Sequence, residues 1–259
     1  MDLGLKGRKA IVCASSRGLG RGCAFALARE GCEVVVNGLD EERLEATATA
    51  IRDETGATVH AVAADVSSLE GQRALLDAMP EPDILINNNG GPPRRDYTEL
   101  DREAMIAGVV QNMVTPIELI QAVLPGMAER GFGRVVNITS LSVLMPIEGL
   151  DLSSAARAGL TAFLAGICRN VAHRNVTVNA VLPGKMDTDR LRGGFAGTAK
   201  RTGKPIDQVI ETQRNGIPAK RFGEAEEFGS VCAFLCSEQA GYIVGRNIVV
   251  DGGLYPSAF

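Results

Sequence analysis

Seven short runs rich in Val and Ile punctuate the chain at Lys9–Ala14, Glu33–Asn37, Thr58–Ala63, Asp83–Asn87, Gly133–Thr139, Asn175–Leu182 and Asn247–Val250. They are nearly continuous apolar runs rather than alternating ones, the pattern of strands covered on both faces. Between them lie stretches with helical spacing of apolar residues: Gly18–Glu30, Glu41–Glu54, Asp101–Glu129, Leu152–Ala172 and Glu224–Cys236. Strands alternating with helices predict a parallel sheet joined by right-handed crossovers. The chain therefore reads as one α/β domain over residues 1–259, a doubly wound parallel sheet of about seven strands.

One segment breaks this rhythm. Asp187 to Gly216 is polar and contains several glycines, and its basic residues outnumber its acids. Connections of that length are usually functional, so the segment at about 187–216 is expected either to cover a substrate or to form a solvated helical excursion.

Composition narrows the partners. The chain has 259 residues, a net charge of -4 and no Trp, which argues against a nucleic-acid surface or a base-stacking platform. Its six cysteines show no metal spacing and fall mostly in apolar runs, as reduced thiols of a cytoplasmic protein would. No secretory leader is evident at the N-terminus, and the longest apolar runs read as too short for a bilayer, so no membrane partner is expected.

The first chemistry appears after the first strand. Ala14-Ser15-Ser16-Arg17-Gly18-Leu19-Gly20 opens a helix directly from a strand. Glycines there let backbone approach a pyrophosphate, and the free N–H groups of the helix start face it. This is the Rossmann-like arrangement for a dinucleotide. At the end of the second strand an acidic residue would bind the adenosine ribose, but Asn37-Gly38-Leu39 stands there, with Asp40 just beyond. Arg17 is placed to pair with a 2'-phosphate, or else to face solvent. Together these favour NADP(H) over NAD(H).

Further motifs follow in a fixed order: Asp65-Val66, Asn87-Asn88-Asn89-Gly90, Asn112, Asn137-Ile138-Thr139-Ser140, Pro183-Gly184 with Thr188, and Asp251-Gly252-Gly253. The set resembles the short-chain dehydrogenase/reductase superfamily over essentially the full length. The glycine turn is similar to that family's Thr-Gly-x-x-x-Gly-x-Gly, with Cys13 and Ala14 in the first two places. The resemblance implies that Asp65 and Val66 hold the adenine, that Asn88 and Gly90 border the cofactor, and that Pro183, Gly184 and Thr188 face the nicotinamide. It implies catalytic roles for Asn112 and Ser140, and assembly into a homotetramer or homodimer through the long helices.

One motif departs. Where the family carries Tyr-x-x-x-Lys this chain has Ser153-Ser154-Ala155-Ala156-Arg157. Asn88-Asn89-Gly90-Gly91-Pro92-Pro93 and Ser153 through Leu160 resemble a divergent branch similar to 3-oxoacyl-carrier-protein reductase. Some members with the altered pair resemble a reductase of a conjugated enone. A Ser hydroxyl is a far weaker acid than a phenol, and Arg157 can hold ribose hydroxyls but cannot relay a proton as Lys does. Loss of a positioned acid costs about 10²–10⁴-fold.

Three readings remain: conjugate reduction with a proton from elsewhere, carbonyl reduction with Ser140, Ser153 and Arg157 as an electrostatic clamp, or a non-catalytic nucleotide sensor or scaffold. Lys185, next to Pro183-Gly184, is a candidate donor or anchor for an anionic substrate if it lies near Arg157; otherwise it faces solvent on a mobile lid. Tyr97 reads as peripheral packing or as a residue at the mouth of the site.

Overall fold

The computed structural model describes residues 2–257. Seven strands form one parallel sheet: β1 (Lys9–Val12), β2 (Glu33–Gly38), β3 (Val59–Ala63), β4 (Ile84–Asn87), β5 (Gly133–Ile138), β6 (Val176–Pro183) and β7 (Asn247–Val250). Their order is β3-β2-β1-β4-β5-β6-β7, so the chain reverses direction between β1 and β4. That reversal opens a crevice at the carboxyl ends of the strands, where α/β sheets bind ligands.

Alternation along each strand feeds two cores. Ala10 and Val12 point to one face with Val34, Val36, Ile84 and Ile86; Ile11 and Cys13 point to the other with Val35, Leu85 and Val135. Helices α1 (Gly18–Arg29), α2 (Glu41–Thr55) and α9 (Ala225–Cys236) cover the first face. Helices α3 (Leu69–Ala78), α5 (Thr115–Arg130) and α6 (Asp151–Val171) cover the second.

Helices α1 and α9 approach each other closely. A Cβ on Gly229 would run into the carbonyl oxygen of Gly22, and one on Gly22 into that of Ala225. These helices therefore touch backbone to backbone, and α1 is held rigidly where it leaves the sheet.

The sequence reading placed these elements within a residue or two, with four differences. The β1 run stops at Val12 because Ala14 turns left-handed, with φ 44°. Helix α3 was not foreseen; its start is capped by Ser68, whose hydroxyl accepts from the Gly71 N–H. The expected helix 101–129 is α4 (Arg102–Val109), a π-helical turn at Val110–Val114, and α5. As one 29-residue stretch, Arg102–Arg130 is long and apolar enough to cross a membrane by length and composition alone, though Gly108, Pro116, Pro125 and Gly126 interrupt it. Its inward side chains Leu119, Ile120, Val123 and Met127 belong to the second core. The irregular segment resolves into two helices, α7 (Asp189–Thr202) and α8 (Ile206–Asn215).

The left-handed Ala14 is fixed from three sides. Its N–H donates to Asn37 Oδ1 at 3.0 Å, its carbonyl accepts from Asn88 Nδ2 at 3.0 Å, and the next N–H donates to the Asn37 carbonyl at 2.7 Å. A Cβ in this region costs roughly 1–2 kcal/mol. Ala14→Gly is therefore expected to raise stability by about 1 kcal/mol, or about 2–4 °C in Tm. An unchanged or lower midpoint would show that the turn is unstrained. At the α1–α9 contact, Gly229→Ala should lose about 1–3 kcal/mol through overpacking. Gly197→Ala, on open α7, serves as the control and should be neutral or mildly stabilising. Equal midpoints for the two variants would disprove the close contact.

Candidate active site

Helix α1 begins at the glycine turn with its first N–H groups exposed to the crevice. Among the described residues no side chain caps this start, and its first turn carries no acid. Gly18 is left-handed at φ 58°, and a Cβ on Gly20 would collide with the Ala14 carbonyl and lie 2.8 Å from Asn88 Nδ2. The turn is thus packed tightly from below and left open above. Leu19 packs against the first core.

Around it the adenosine side takes shape. The Ser16 hydroxyl would sit 2.8 Å from a Cβ on Gly38, so it already fills the space an acidic side chain at that position would need. Asp40 is spent on the start of α2, where it accepts from the Arg43 N–H. Arg17 is exposed and pairs with Asp189 at 3.5 Å, tying the phosphate turn to the first residue of α7. Asp65 is exposed and accepts from the Ser67 N–H at 2.8 Å, while Val66 is buried beside Asn88 and Asn89. Asn37, expected at the cofactor, lies near the end of β2. It is buried, its Nδ2 donates to the Val62 and Ala64 carbonyls and its Oδ1 serves Ala14, so its side chain is committed to the fold.

Asn112, Ser153 and Arg157 form one hydrogen-bonded chain. The π-turn brings Asn112 inward until it is buried, and Ser153 and Arg157, four residues apart, share one face of α6. Ser153 Oγ donates to Asn112 Oδ1 at 3.3 Å, and Arg157 Nε donates to Ser153 Oγ at 3.2 Å. Arg157 Nη1 donates to the Ile138 carbonyl at 2.7 Å, at the end of β5. Burial first, then the Arg190 guanidinium, brings the Arg157 pKa down to about 10, so it stays a cation at neutral pH. Asn112 Nδ2 also donates to the Gly90 carbonyl, closing the floor of the site. Ser140 follows β5 and caps a short turn by accepting from the Ser142 N–H at 3.1 Å; among the described residues it has no hydrogen bond to Ser153 or Arg157.

The opposite wall comes from β6. Gly184 approaches Asp251 so closely that a Cβ would lie 2.5 Å from the Asp251 Cβ, and its N–H pairs with Val250. Thr188 caps α7, and its methyl lies 3.7 Å from where a Gly18 Cβ would stand. Pro183 ends the strand beneath them. Lys185 is half-buried, and its Nζ donates to the Gln213 carbonyl near the end of α8 at 3.4 Å. Its pKa is lowered by burial and then by Arg94, not by Arg157, which corrects the expected pairing.

Two residues escaped the sequence reading. Arg190 donates to the Gly91 and Pro92 carbonyls at 3.0 and 3.2 Å, reaching from α7 across the site mouth; the basic excess of the segment was its only signal. Asn89 donates to Ser67 Oγ and the Gln111 carbonyl, joining the loop after β3 to the π-turn, and its signal was an amide where the family has Ala. Tyr97 is 73% exposed in a short turn, and among the described residues its side chain has no hydrogen bond to Asn112, Ser153 or Arg157.

Comparison with known proteins accounts for this geometry. A family model described as enoyl-(acyl carrier protein) reductase matches residues 13–255. The 3-oxoacyl-[acyl-carrier-protein] reductase FabG of Aquifex aeolicus is 31% identical over 98% of this chain and 100% of its own. L-Sorbose reductase from Gluconobacter frateurii, complexed with NADPH and L-sorbose, superposes with a TM-score of 0.93 at 28% identity, covering 99% of this chain and 100% of that one. YwfH, an NADPH-dependent reductase involved in bacilysin biosynthesis, reaches a TM-score of 0.91 at 30% identity, over 97% of this chain and 100% of that one. With the family model spanning residues 13–255 and a reductase 31% identical over 98% of this chain, the chain belongs to the short-chain dehydrogenase/reductase family of oxidoreductases.

Proposed function

We propose that this protein uses NADP(H), in preference to NAD(H), to reduce a small carbonyl or conjugated enone, with Ser153 and Arg157 standing where the family keeps a phenol and a lysine. The observation that carries the reading is the hydrogen-bonded chain Asn112–Ser153–Arg157, set beside an uncapped helix start at the switch point of the sheet. The NADPH bound by the sorbose reductase and used by YwfH supports the same cofactor here.

The residues fit a dinucleotide. The α1 N–H groups suit its diphosphate, Arg17 its 2'-phosphate, and Ser16 over Gly38 leaves no room for a carboxylate that would repel that phosphate. When bound, NADP(H) supplies the hydride.

What the chain itself does follows from charge. Arg157 is a buried cation whose hydrogen bonds are to one hydroxyl and one carbonyl. A cation held this way, without a carboxylate to neutralise it, is preorganised to stabilise negative charge developing on a substrate oxygen next to Ser153. Ser153 spends its proton on Asn112 and its lone pair on Arg157, so donating to substrate would break an existing bond. The site therefore stabilises an oxyanion better than it protonates one. This favours an enolate from an enone over an alkoxide from a ketone. Lys185 is held by α8 and acts as an anchor for substrate rather than as the acid. Helices α7 and α8 serve as the lid.

In this reading the enzyme is cytoplasmic, with all six cysteines free and buried. It assembles as a symmetric dimer or tetramer, for which Met105, Ile106 and Val109 on α4 offer an exposed apolar stripe. A nucleotide sensor would bind NADPH without oxidising it in the presence of any ketone or enone.

Two measurements test the proposal. Binding titrations should show NADPH preferred over NADH by about tenfold or more, since a charge-assisted pair contributes roughly 1.5–3 kcal/mol. Arg17→Ala should erase the preference; equal affinities in the unaltered protein would refute it. A shallow crevice beside Ser153 is lined by Pro92, Pro93 and Leu150, and a phenol at position 153 would have to fit against these residues. The double change Ser153→Tyr with Arg157→Lys should raise turnover of a simple ketone by about 10²-fold or more. No gain, with NADPH binding intact, would mean that the pocket is shaped for other chemistry.

A further inference from the structure

We infer that the substrate carries an anionic group, a carboxylate or a phosphate monoester, which Arg190 binds at the mouth of the site with Lys185 and Arg94 beside it. The inference rests on the reading of the site as a reductase and adds the class of molecule that it takes.

Arg190 docks on the loop that carries Arg94, and Lys185 stands on the segment that follows β6. Arg190 reaches from the first turn of α7 to the Gly91 and Pro92 carbonyls, and a Cβ on Gly91 would lie 2.8 Å from its Nη2. Arg94 belongs to that same loop and packs on the approach to α6, where a Cβ on Gly149 would meet its Cβ at 3.6 Å. The Arg95 N–H donates to the Gly149 carbonyl, fixing the loop against the segment that leads into Ser153. Their mutual effects agree with this arrangement. Arg94 lowers the pKa of Lys185 and, after desolvation, that of Arg190, while Arg190 in turn lowers that of Arg157.

Positive groups packed this closely repel one another and need a reason to stay. None of the four has a carboxylate partner among the described residues. Four acids of the adjoining segments are engaged elsewhere: Asp187 by Arg192 at 2.7 and 2.9 Å, Asp189 by Arg17, Asp96 by the Thr98 N–H, and Asp101 by the Ala104 N–H, while Glu148 and Asp151 flank Gly149 without an ion pair among the described residues. Arg190 is bound to two neutral carbonyls and is exposed, so its guanidinium fork remains accessible to a planar or tetrahedral oxyanion. The shallow crevice lined by Pro92, Pro93 and Ser153 marks the direction from Arg190 toward the reacting centre. The charge sets the orientation, and Ser153 and Arg157 meet the reacting oxygen.

The test uses matched pairs on the full-length protein with NADPH bound: 4-oxopentanoate against its methyl ester, and hydroxyacetone phosphate against hydroxyacetone. Binding is followed through the fluorescence of the bound nucleotide, so turnover is not required. In at least one pair the anion should bind about tenfold or more tightly than its neutral partner, and the pair that responds identifies carboxylate or phosphate. Arg190→Gln should abolish that ratio while leaving the neutral partner's affinity and NADPH binding unchanged. If the variant weakens both members alike, Arg190 is only a latch for α7 and the inference is wrong. Equal affinities within both pairs, or no binding of any probe, would overturn it too. Anion binding without NADPH oxidation would keep the inference and defeat the reductase reading. Oxidation with the neutral probes alone would do the reverse.

Discussion

A left-handed alanine sits at the centre of this site, and buried amides keep it there. Ala14 adopts φ 44°, which its side chain resists, because Asn37 and Asn88 take up its N–H and its carbonyl and so leave no other satisfied conformation. Each such bond contributes about 1 kcal/mol, and leaving its buried partner unmet costs more. Release of the turn would orphan amides on β2 and after β4 together. The direction of α1, the gap under Gly20 and the open face toward a diphosphate all follow from this one local conformation. Amides continue the role across the sheet: Asn87 donates to Asn137, Asn137 to the Asn179 carbonyl, and Asn179 to Ile243.

The other half of the site is an electrostatic arrangement with little acid in it. Arg157 lies where a mobile ammonium would stand in the family, yet its planar guanidinium is pinned by a carbonyl and a hydroxyl, so its charge is fixed in place. A fixed cation stabilises developing charge without reorganising, and Arg157 keeps its charge at neutral pH. The cations around the mouth extend the same field outward.

Strands and switch point were legible because both faces of a parallel sheet are buried, and burial writes continuous apolar runs into the sequence. The glycine turn, Asn112, Ser153 and Arg157 were legible because their spacing survives in the chain. The structural role of Asn37 was not legible because a polar residue at the end of a strand looks the same whether it faces a ribose or a backbone. Lys185 was sent to the wrong partner and Arg190 went unassigned for a related reason. Long side chains on a polar helical segment choose their contacts in three dimensions, and no periodicity records the choice. The π-turn left no signal at all, since its extra residue is visible only in how Asn112 faces.

The meeting of Gly22 and Gly229 has a consequence for how this protein can change. When two side chains collide, shrinking one makes room for the other, and a lost contact is restored by a second substitution elsewhere. Here each would-be side chain meets main-chain carbonyl, which has no smaller form. No compensating partner exists for either glycine, so the pair admits no stepwise exchange. The helix start that fronts the crevice inherits its fixed position from two residues that lie behind it.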